Sequence, residues 1–388
     1  MRLRSGLILA VGVLLPLALL FHLRGHIYQL GEVAVTYSTF YELIRNHADL
    51  LYRYPAPASS PDGDETGDQP AVPRILHSVV LGNASRDDYV DALDSCTTLH
   101  PDWEHIVWTD ESATAFIGEH YPDILPHYQG YAQHIQRANV LRYAVLHHHG
   151  GVYLDLDVWC RVALDATPIV RLPFVSPGAH PAGVNNAFIS SRPGHPLLGA
   201  ILAAVPSHDR SWGLPMRIPY VENMMSTGCM YYTNVWMSYV RGLVKQHVLP
   251  SSATPDHPPA PSAGNSSSFA NRVFVLADTD GQLGPQMLRG KVTTPLFTHG
   301  GASSWHSWDA ALVLSLSRHY VLYALVAPVV VVALSLAACS LVRRRRLRLR
   351  HRGWTAVGSW WSPAEDDAHP AAVVADEPVA DEALSDKD

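Results

Sequence analysis

Two aspartates two positions apart, Asp155 and Asp157, stand at the end of the apolar run GGVYLDLDVWC in residues 150–160. Alternate residues of a β-strand point to the same side, so the two carboxylates converge if the strand continues through them. If the strand ends there, one carboxylate can face a metal ion directly and the other through water. Such carboxylates suit Mg²⁺ or Mn²⁺ that also binds substrate phosphates, although a bare D-x-D is also common as a chance surface pair.

An alternation of short apolar runs and helical patterns surrounds the aspartates and indicates an α/β fold. Strands are predicted at residues 74–81, 104–110, 152–159 and 272–278, and residues 87–100 between the first two strands have helical spacing. This order is typical of a Rossmann-like, mostly parallel sheet, in which ligands bind at the carboxyl ends of the strands.

The helix that leads into the aspartates is predicted in QHIQRANVLRYAVLHHHG, residues 133–150. Its apolar face contains Ile135, Ala138, Leu141, Val145 and Leu146. Gly150 and Gly151 end the helix, and a glycine pair lets the backbone approach a ligand closely. Later in the chain, residues 222–243 suggest a turn that leads into a further helix.

Histidines and tryptophans offer further candidates for chemistry. Three consecutive histidines at 147–149 cannot converge on one ion from a helix, because neighbouring side chains diverge by about 100°; they are expected as helix-end cations or hydrogen-bonding groups. Trp212, Trp305 and Trp308 can stack on a sugar or a base, or belong to the core.

Membrane segments are predicted at both ends of the chain. About fifteen apolar residues follow Arg2 and Arg4, which fits an uncleaved signal anchor or a signal peptide, and residues 320–342 carry no charge over a length that crosses a bilayer. The run RRRRLRLRHR at 343–352 is expected to contact anionic lipids and predicts that this end lies in the cytosol, as the two N-terminal arginines do for the other end.

The predicted organisation therefore has five parts. They are a cytosolic stub and signal anchor (1–23), a lumenal stem with a Pro-rich linker (24–73), a catalytic domain (74–310), a transmembrane helix (320–342) and a basic, then acidic, disordered tail (343–388). The net charge of -7 and the local basic run give no chain-wide field for nucleic acid. Four cysteines exclude a disulfide framework; one bridge, such as Cys96 to Cys160, is possible.

Six motifs in order then resemble the fungal inositol phosphorylceramide mannosyltransferases of glycosyltransferase family 32, over about residues 70–310. The motifs are HPDWEHIVWTDE, YPDILPHY, IQRANVLRYAVLHHHGGVYLDLDVWC, GVNNAFISSRPGHPLL, MMSTG and GASSWHSWDA. The resemblance implies a GT-A type fold and a retaining, Mn²⁺-dependent transfer of mannose, with Mg²⁺ as the alternative ion. The donor would be GDP-mannose and the acceptor inositol phosphorylceramide in the Golgi or another secretory-pathway membrane, with membrane lipids and a possible regulatory membrane subunit as partners and no nucleic acid.

The same resemblance implies roles for particular residues. Asp155 and Asp157 would form the catalytic metal motif, and His306 would complete the metal or phosphate shell. Arg142 would reach the donor sugar or phosphates from its helix. The other residues expected at the donor are Asn139, Gly151, Asn185, Asn186, Ser304 and Trp305.

Three positions depart from the family pattern. Asn139 stands where the family usually has Asp, and Asn186 follows Asn185 where Asp is usual; a smaller departure is Cys229, which replaces a proline. An amide can hydrogen-bond a sugar, but it cannot act as a base. Alternatives are therefore a family 32 enzyme that acts on other glycans, or a catalytically silent lumenal binding subunit.

Overall fold

The computed structural model describes residues 14–55, 71–213, 216–246, 248–249, 269–302, 306 and 308–319, with scattered positions between 326 and 343. The chain divides into two compact units, residues 1–314 and 315–388. The second unit is described only at the end of one helix and at those scattered positions, so the account below concerns the first unit.

A seven-stranded sheet forms the centre of this unit, and the strands lie in the order β1-β8-β6-β7-β4-β2-β3. The strands of this sheet are β1 (Leu51–Arg53), β2 (Ile75–Val79), β3 (Glu104–Trp108), β4 (Gly151–Leu154), β6 (Phe174–Pro177), β7 (Phe188–Ser191) and β8 (Phe274–Ala277). Only β7 runs antiparallel to its neighbours, so the α/β fold with a mostly parallel sheet is confirmed. The strands predicted near residues 75, 105 and 274 are present with narrower bounds.

Helices cover the sheet and share its apolar faces. They are α1 (Leu15–Asn46), α2 (Val90–Leu99), α3 (Asp110–His120), α4 (Leu125–Gly130), α5 (His134–His149), α6 (Pro196–His208), α7 (Pro219–Ser226), α8 (Cys229–Lys245) and α9 (Trp308–Arg318). Along β4, Tyr153 joins the core on the α5 side, whereas Val152 and Leu154 join the core on the opposite side. Alternate residues of β4 therefore pack into the two hydrophobic cores on opposite faces of the sheet.

The predicted strand over residues 152–159 is two strands in different sheets. β4 ends at Leu154, residues 155–157 form a turn, and β5 (Val158–Cys160) pairs antiparallel with β10 (Phe297–His299) in a small sheet that β9 (Val292–Thr293) completes. A disulfide between Cys96 and Cys160 joins α2 to β5. The bridge that the sequence left open is therefore present, and it holds the chain directly after the aspartates.

The N-terminal helix and the strand after it belong to the folded unit. The helix begins at Leu15, within the range 1–23 interpreted as the anchor, and most of it, like the strand, lies in the range 24–73 interpreted as stem and linker. α1 buries Phe40 completely, and β1 pairs in parallel with β8 at the edge of the main sheet. The sequence alone did not predict β1, because a strand of three residues is too short to show a periodic pattern.

Among the described residues, no helix is both long enough and apolar enough to cross a membrane. Residues 1–13 of the predicted anchor, most of the predicted span 320–342 and nearly all of the tail 343–388 lie outside the described residues. Most of the linker between residues 56 and 70, and the loop 250–268, lie outside them as well.

Candidate active site around Asp155 and Asp157

The two aspartates lie in the turn that follows β4, at the carboxyl edge shared with the parallel strands β2 and β3. The Asp155 amide donates to the carbonyl of Ala187 (2.9 Å), which continues the pairing of β4 with β7, and the amide of Val158 donates back to the Asp155 carbonyl (3.1 Å). The turn places both carboxylates at the edge where ligands bind in sheets of this kind.

Asp155 is held by a buried cation and a phenol. The Nη1 of Arg142 lies 3.0 Å from its Oδ1, and the hydroxyl of Tyr153 donates to the same oxygen at 2.7 Å. The Arg142 side chain is 2% exposed, and its guanidinium stacks 4.4 Å above the centre of the Tyr153 ring. Arg142 lies on α5 and Tyr153 lies on β4, and both side chains are buried. Arg142 therefore orients the Asp155 carboxylate from the interior of the protein.

The electrostatics of this cluster favour an added cation. Burial raises the pKa of Asp155, the Arg142 guanidinium opposes that rise, and the neighbouring Asp157 adds to it. Burial disfavours the charged form of Arg142, yet the Asp155 carboxylate leaves the pKa of that guanidinium above its ordinary value. Two partly enclosed carboxylates with one buried cation therefore leave a negative site at the cleft surface.

Asp157 is held by residues 299–302, of which Gly301 and Ala302 begin the motif GASSWHSWDA and His299 and Gly300 were not singled out from the sequence. Its backbone carbonyl accepts from the amide of Gly300 (2.7 Å), its Oδ2 accepts from the amide of Ala302 (2.8 Å), and the Nε2 of His299 lies 3.6 Å from its Oδ1. Gly301 adopts a φ of 63°, and a Cβ there would overlap the backbone of Gly290. His299 and the glycine pair Gly300 and Gly301, at the end of β10, were the sequence feature that could have indicated this contact.

The donor set fits a divalent cation shared with a substrate. Within the described residues, the contacts of the Asp155 carboxylate with Arg142 and Tyr153 are made by Oδ1, so its Oδ2 is left for a ligand. In Asp157, the oxygen left for a ligand is Oδ1, which lies beside His299. No group of three or more His, Cys, Asp or Glu side chains among those residues is arranged to hold a metal ion. Substrate oxygens would therefore supply the remaining ligands, as they do for Mg²⁺ at phosphate sites.

Asn139 lies directly beneath the cleft and its amide has protein partners. Its Nδ2 donates to Oδ1 of Asn223 (2.9 Å) and to Oγ1 of Thr227 (3.2 Å), while its Oδ1 accepts from Asn186 (3.2 Å). The side chain is only 3% exposed. Both amide protons of Asn139 are therefore used within the protein and are not presented to a ligand.

Asn186 completes the same network and connects it to Arg142. Its Nδ2 donates to the Tyr143 hydroxyl (2.7 Å) as well as to Asn139, its Oδ1 accepts from the Cys229 thiol (3.0 Å), and its backbone carbonyl accepts from Arg142 (2.7 Å). The structure thus brings Asn139, Arg142 and Asn186 together in one hydrogen-bonded network. It places them under the site, where they position Asp155.

Two further residues expected at the donor have backbone tasks in the structure. Gly151 has a φ of 97°, and a Cβ there would lie 2.6 Å from the carbonyl oxygen of Ile75, so the glycine lets β4 approach β2. The Nδ2 of Asn185 donates to the Leu288 carbonyl (3.1 Å), and its Oδ1 accepts from the Ala187 amide (2.6 Å). Both residues shape the backbone around the aspartates.

The C-terminal motif is only partly described. His306 is exposed, and its ring lies edge-on to Tyr220 with the ring centres 5.3 Å apart. It does not form a metal-binding group of three with Asp155 and Asp157. Ser304 and Trp305, which were expected at the donor, lie outside the described residues.

A small cavity adjoins Asp155 on the side of β2 and α2. Its volume is about 110 Å³, and its lining includes His77, Arg86, Thr97, Asp155 and Leu156. The three histidines at 147–149, in contrast, lie away from the aspartates at the end of α5. There, burial lowers the pKa of each imidazole and favours the neutral form, and Nδ1 of His147 lies 2.9 Å from the Tyr121 hydroxyl. Of the two predicted roles, the hydrogen-bonding group is therefore favoured over the helix-end cation.

Comparison with known proteins supports the assignment of the site. Residues 87–171 match the family model of a glycosyltransferase sugar-binding region containing the DXD motif. The chain is 33% identical to inositol phosphoceramide mannosyltransferase 2 of Schizosaccharomyces pombe over 251 residues, which cover 65% of this chain and 63% of that protein. It is 36% identical to mannosyl phosphorylinositol ceramide synthase SUR1 of Saccharomyces cerevisiae over 170 residues, which cover 44% and 43%. The resemblance stated from the six motifs is confirmed.

The aligned region spans less than two thirds of the length of the first two curated relatives, at 63% and 61%. Among solved structures, the PaToxG glycosyltransferase matches with a TM-score of 0.34 and 15% identity, over 64% of this chain and 95% of that one.

Proposed function

We propose that this chain is a retaining mannosyltransferase that transfers mannose from GDP-mannose to inositol phosphorylceramide. Its DXD-motif glycosyltransferase region contains Asp155 and Asp157. The observation that carries the proposal is the paired carboxylates, each with one oxygen available to a ligand, at the carboxyl edge of the parallel strands. The similarity to the fungal enzymes supports the choice of donor and acceptor.

In this proposal the chain's residues hold and orient the donor diphosphate. Asp155 and Asp157 would bind Mn²⁺, or Mg²⁺ in its place, and when bound such an ion stabilises the negative charge that develops on the leaving diphosphate. Arg142 and Tyr153 fix the direction of the Asp155 carboxylate, and the Ala302 amide fixes that of Asp157. We assign the cavity beside Asp155 to part of the donor nucleoside.

The transfer is proposed to occur on one face of the sugar. The bond from the mannose anomeric carbon to the phosphate oxygen breaks, its electron pair stays on GDP, and the acceptor oxygen bonds to the same face of that carbon. The acceptor proton passes to the departing phosphate oxygen. The amides of Asn139 and Asn186 already have protein partners, so we give neither residue the role of nucleophile or base.

The cellular setting is part of the proposal. A GT-A type catalytic domain in the lumen of the Golgi, held by segments at residues 1–23 and 320–342 with both termini in the cytosol, would meet a sphingolipid acceptor at the membrane surface. The basic run at 343–352 would contact anionic lipids. A separate regulatory membrane subunit is an expectation of the same kind.

Transfer by the full-length protein tests this function. Purified protein in detergent micelles with inositol phosphorylceramide, Mn²⁺ and radiolabelled GDP-mannose should form a mannosylated lipid, and chelation of the ion should stop the reaction. Asp157→Asn removes one carboxylate and should lower the rate by about 100-fold or more. The exposed Asp102→Asn is the matched control and should be neutral.

The outcomes separate the alternatives. GDP binding without any transfer would identify a silent binding subunit and overturn the enzyme proposal. Transfer to a glycan acceptor but never to the lipid would overturn the acceptor. The anomeric configuration of the product, measured by NMR, decides between retention and inversion.

A further inference from the structure

The packed face of α1 continues toward the N-terminus beyond the point where the fold covers it. Gln29, Thr36 and Phe40 are buried on this face, and their spacing of seven and four residues places them one above the other on the helix. Gly25 lies four residues before Gln29, and Phe21 lies four residues before Gly25, so both belong to the same face. The Phe21 side chain, however, is 68% exposed. The packed face therefore ends in a bare aromatic ring.

The segment 209–218, which joins α6 to α7, is fixed to the turn of α1 that follows Phe21. The Nε2 of His26 donates to the Ser211 carbonyl (2.9 Å), and the His26 ring lies edge-on to Trp212 with the ring centres 4.8 Å apart. Trp212 thus has the packing role that was one of its two predicted roles. The guanidinium of Arg210 lies against Gly25, because a Cβ at that position would come within 2.3 Å of its Cζ. Two successive residues of α1 therefore hold the segment in place.

The later part of this segment is a closed loop that exposes an apolar side chain. The amide of Ile218 donates to the Trp212 carbonyl (2.7 Å), which closes the loop. Gly213 has a φ of 104°, and a Cβ there would overlap the carbonyl oxygen of Met216. The Met216 side chain is 63% exposed, whereas residues 214–215 lie outside the described part of the chain. The loop therefore holds the Met216 backbone and leaves its side chain uncovered.

Two exposed guanidinium groups lie at the same turn of α1. That of Arg24 lies 3.8 Å above the centre of the Phe21 ring, and that of Arg210 lies against the next residue of the helix. Within the part of the chain that the structure describes, neither arginine forms an ion pair. The carboxylate next to Arg210 in the sequence, that of Asp209, pairs with His127 instead (2.7 Å). Both positive charges are therefore left for an anionic ligand.

The composition of this surface is typical of a membrane interface. Arginine extends its charge to the lipid headgroups while its apolar stem, and side chains such as Phe21 and Met216, contact the acyl region. Anionic headgroups also attract basic residues that lie next to a membrane segment. The apolar run at residues 7–21 ends at Phe21, so the surface begins where that run stops. A bilayer is therefore the partner that this surface fits.

We propose that this part of the protein is a membrane-contact surface that binds anionic phospholipid headgroups. Its members are Phe21, Arg24, Arg210 and Met216. The inference rests on the part of the proposed function that anchors residues 1–23 in a membrane. It adds a second contact with the bilayer beside that anchor, through a segment in which the sequence showed no membrane signal. Because α1 is one unbroken helix from Leu15 to Asn46, the surface also fixes the direction in which the catalytic domain leaves the bilayer.

Oxidation of Met216 reports whether this surface lies against a bilayer. Full-length protein is placed in nanodiscs of neutral lipid, with or without phosphatidylserine, and treated with hydrogen peroxide. Mass spectrometry then gives the rate of sulfoxide formation at each methionine. The reference is the exposed position of Gln282→Met, next to Gly281, which lies against Arg53 on β1. This reference follows the far end of α1, which rises about 33 Å between Arg24 and Asn46.

The rates should depend on the lipid charge and on the two arginines. With phosphatidylserine, Met216 should be oxidised more than about tenfold more slowly than the reference methionine. Arg24→Gln and Arg210→Gln should each raise the Met216 rate about fivefold, because each removes one contact with a headgroup. Arg53→Gln, on the exposed end of β1, is the matched control and should leave the rate as in the wild type. Equal unfolding midpoints show that the variants are folded.

The outcomes decide between the bilayer and other partners. If Met216 is oxidised as fast as the reference in phosphatidylserine nanodiscs, the surface faces water, and the proposal is overturned while the proposed mannose transfer stands. Equal shielding without phosphatidylserine, or no effect of the arginine variants, would also overturn it, because the anchor alone would then explain the shielding. Shielding by inorganic phosphate in neutral nanodiscs would indicate a site for soluble anions and contradict the lipid assignment.

The same samples separate this inference from the proposed function. Full-length protein that does not enter nanodiscs would refute the anchor and the membrane-contact surface together. A shielded Met216 that responds to both arginine variants, in a protein without mannose transfer, would support the surface and refute only the enzyme proposal.

Discussion

At the scale of single residues, the site is organised by side chains that hold other side chains. Arg142 contributes its charge from a position that is 2% exposed, so its interaction with Asp155 is far less screened than a surface ion pair. Tyr153 lies on β4, two residues before Asp155, and its hydroxyl donates to the Asp155 carboxylate. The aspartates are therefore fixed before any ligand arrives, which is what a shared metal site requires.

The asparagine pair gives the sharpest prediction at this scale. Asn139→Asp would replace both amide protons by an acceptor that faces Asn223 and Thr227 in a buried position. We expect a loss of about 1 to 3 kcal/mol of unfolding free energy at neutral pH, and a smaller loss in acid as the new carboxyl is protonated. Thermal unfolding at pH 7.5 and pH 5 measures this.

The control for that change is the exposed Asn83→Asp. Asn83 begins an N-x-S triplet, so unglycosylated protein should be used, and its unfolding free energy should change by less than about 0.5 kcal/mol. If Asn139→Asp instead kept full stability and increased mannose transfer, the residue would face the donor sugar, as the family pattern suggests.

At the scale of elements, α1 is the clearest difference between expectation and structure. Phe40 is fully buried, between Tyr41 and Trp236, so the helix is a layer of the fold. Phe40→Ala should lower the unfolding free energy by about 3 to 5 kcal/mol, because the cavity adds to the lost transfer energy. Val35→Ala on the exposed side of the helix should change it by no more than about 0.5 kcal/mol. Unfolding of the full-length protein in detergent decides the matter: equal effects of the two variants would mean that α1 is a separable stem.

At the scale of the whole molecule, buried histidines should make stability depend on pH. His77 is fully buried, with Nε2 2.9 Å from the Gly150 carbonyl and Nδ1 3.2 Å from the Trp108 ring nitrogen. Burial lowers the pKa of His77 to about 4, and that of His195 to about 3. The unfolded chain therefore binds more protons, and stability is complete above pH 6.5 and falls as the pH drops toward 4.

The size of this fall can be measured. His77 alone should account for about 3 kcal/mol between pH 6.5 and pH 4, since each unit of pKa shift is worth about 1.4 kcal/mol. Unfolding midpoints over this range should decline for the wild type and decline less steeply for His77→Gln. A flat profile from pH 7 to pH 5 would contradict the neutral, buried assignment of these imidazoles.

The local patterns of the sequence were enough for the alternating strands and helices, for α5 and its glycine stop, and for the place of Asp155 and Asp157 directly after a buried strand. These features depend on neighbours within a few residues, so periodicity and spacing report them directly. Asp155 and Asp157 were identified in the same way, by their position at the end of an apolar strand and by the motifs around them.

Tertiary structure alone decided which residues surround that pair. The amide of Ala302 bonds Asp157 across 145 positions of the chain, Asn139 meets Asn186 across 47, and Cys96 meets Cys160 across 64. β1 joins the sheet by pairing with a strand more than two hundred residues away. No local pattern encodes such contacts, because they depend on how the layers pack. The aspartates could therefore be identified from the sequence, whereas the side chains and backbone amides that hold them required the fold.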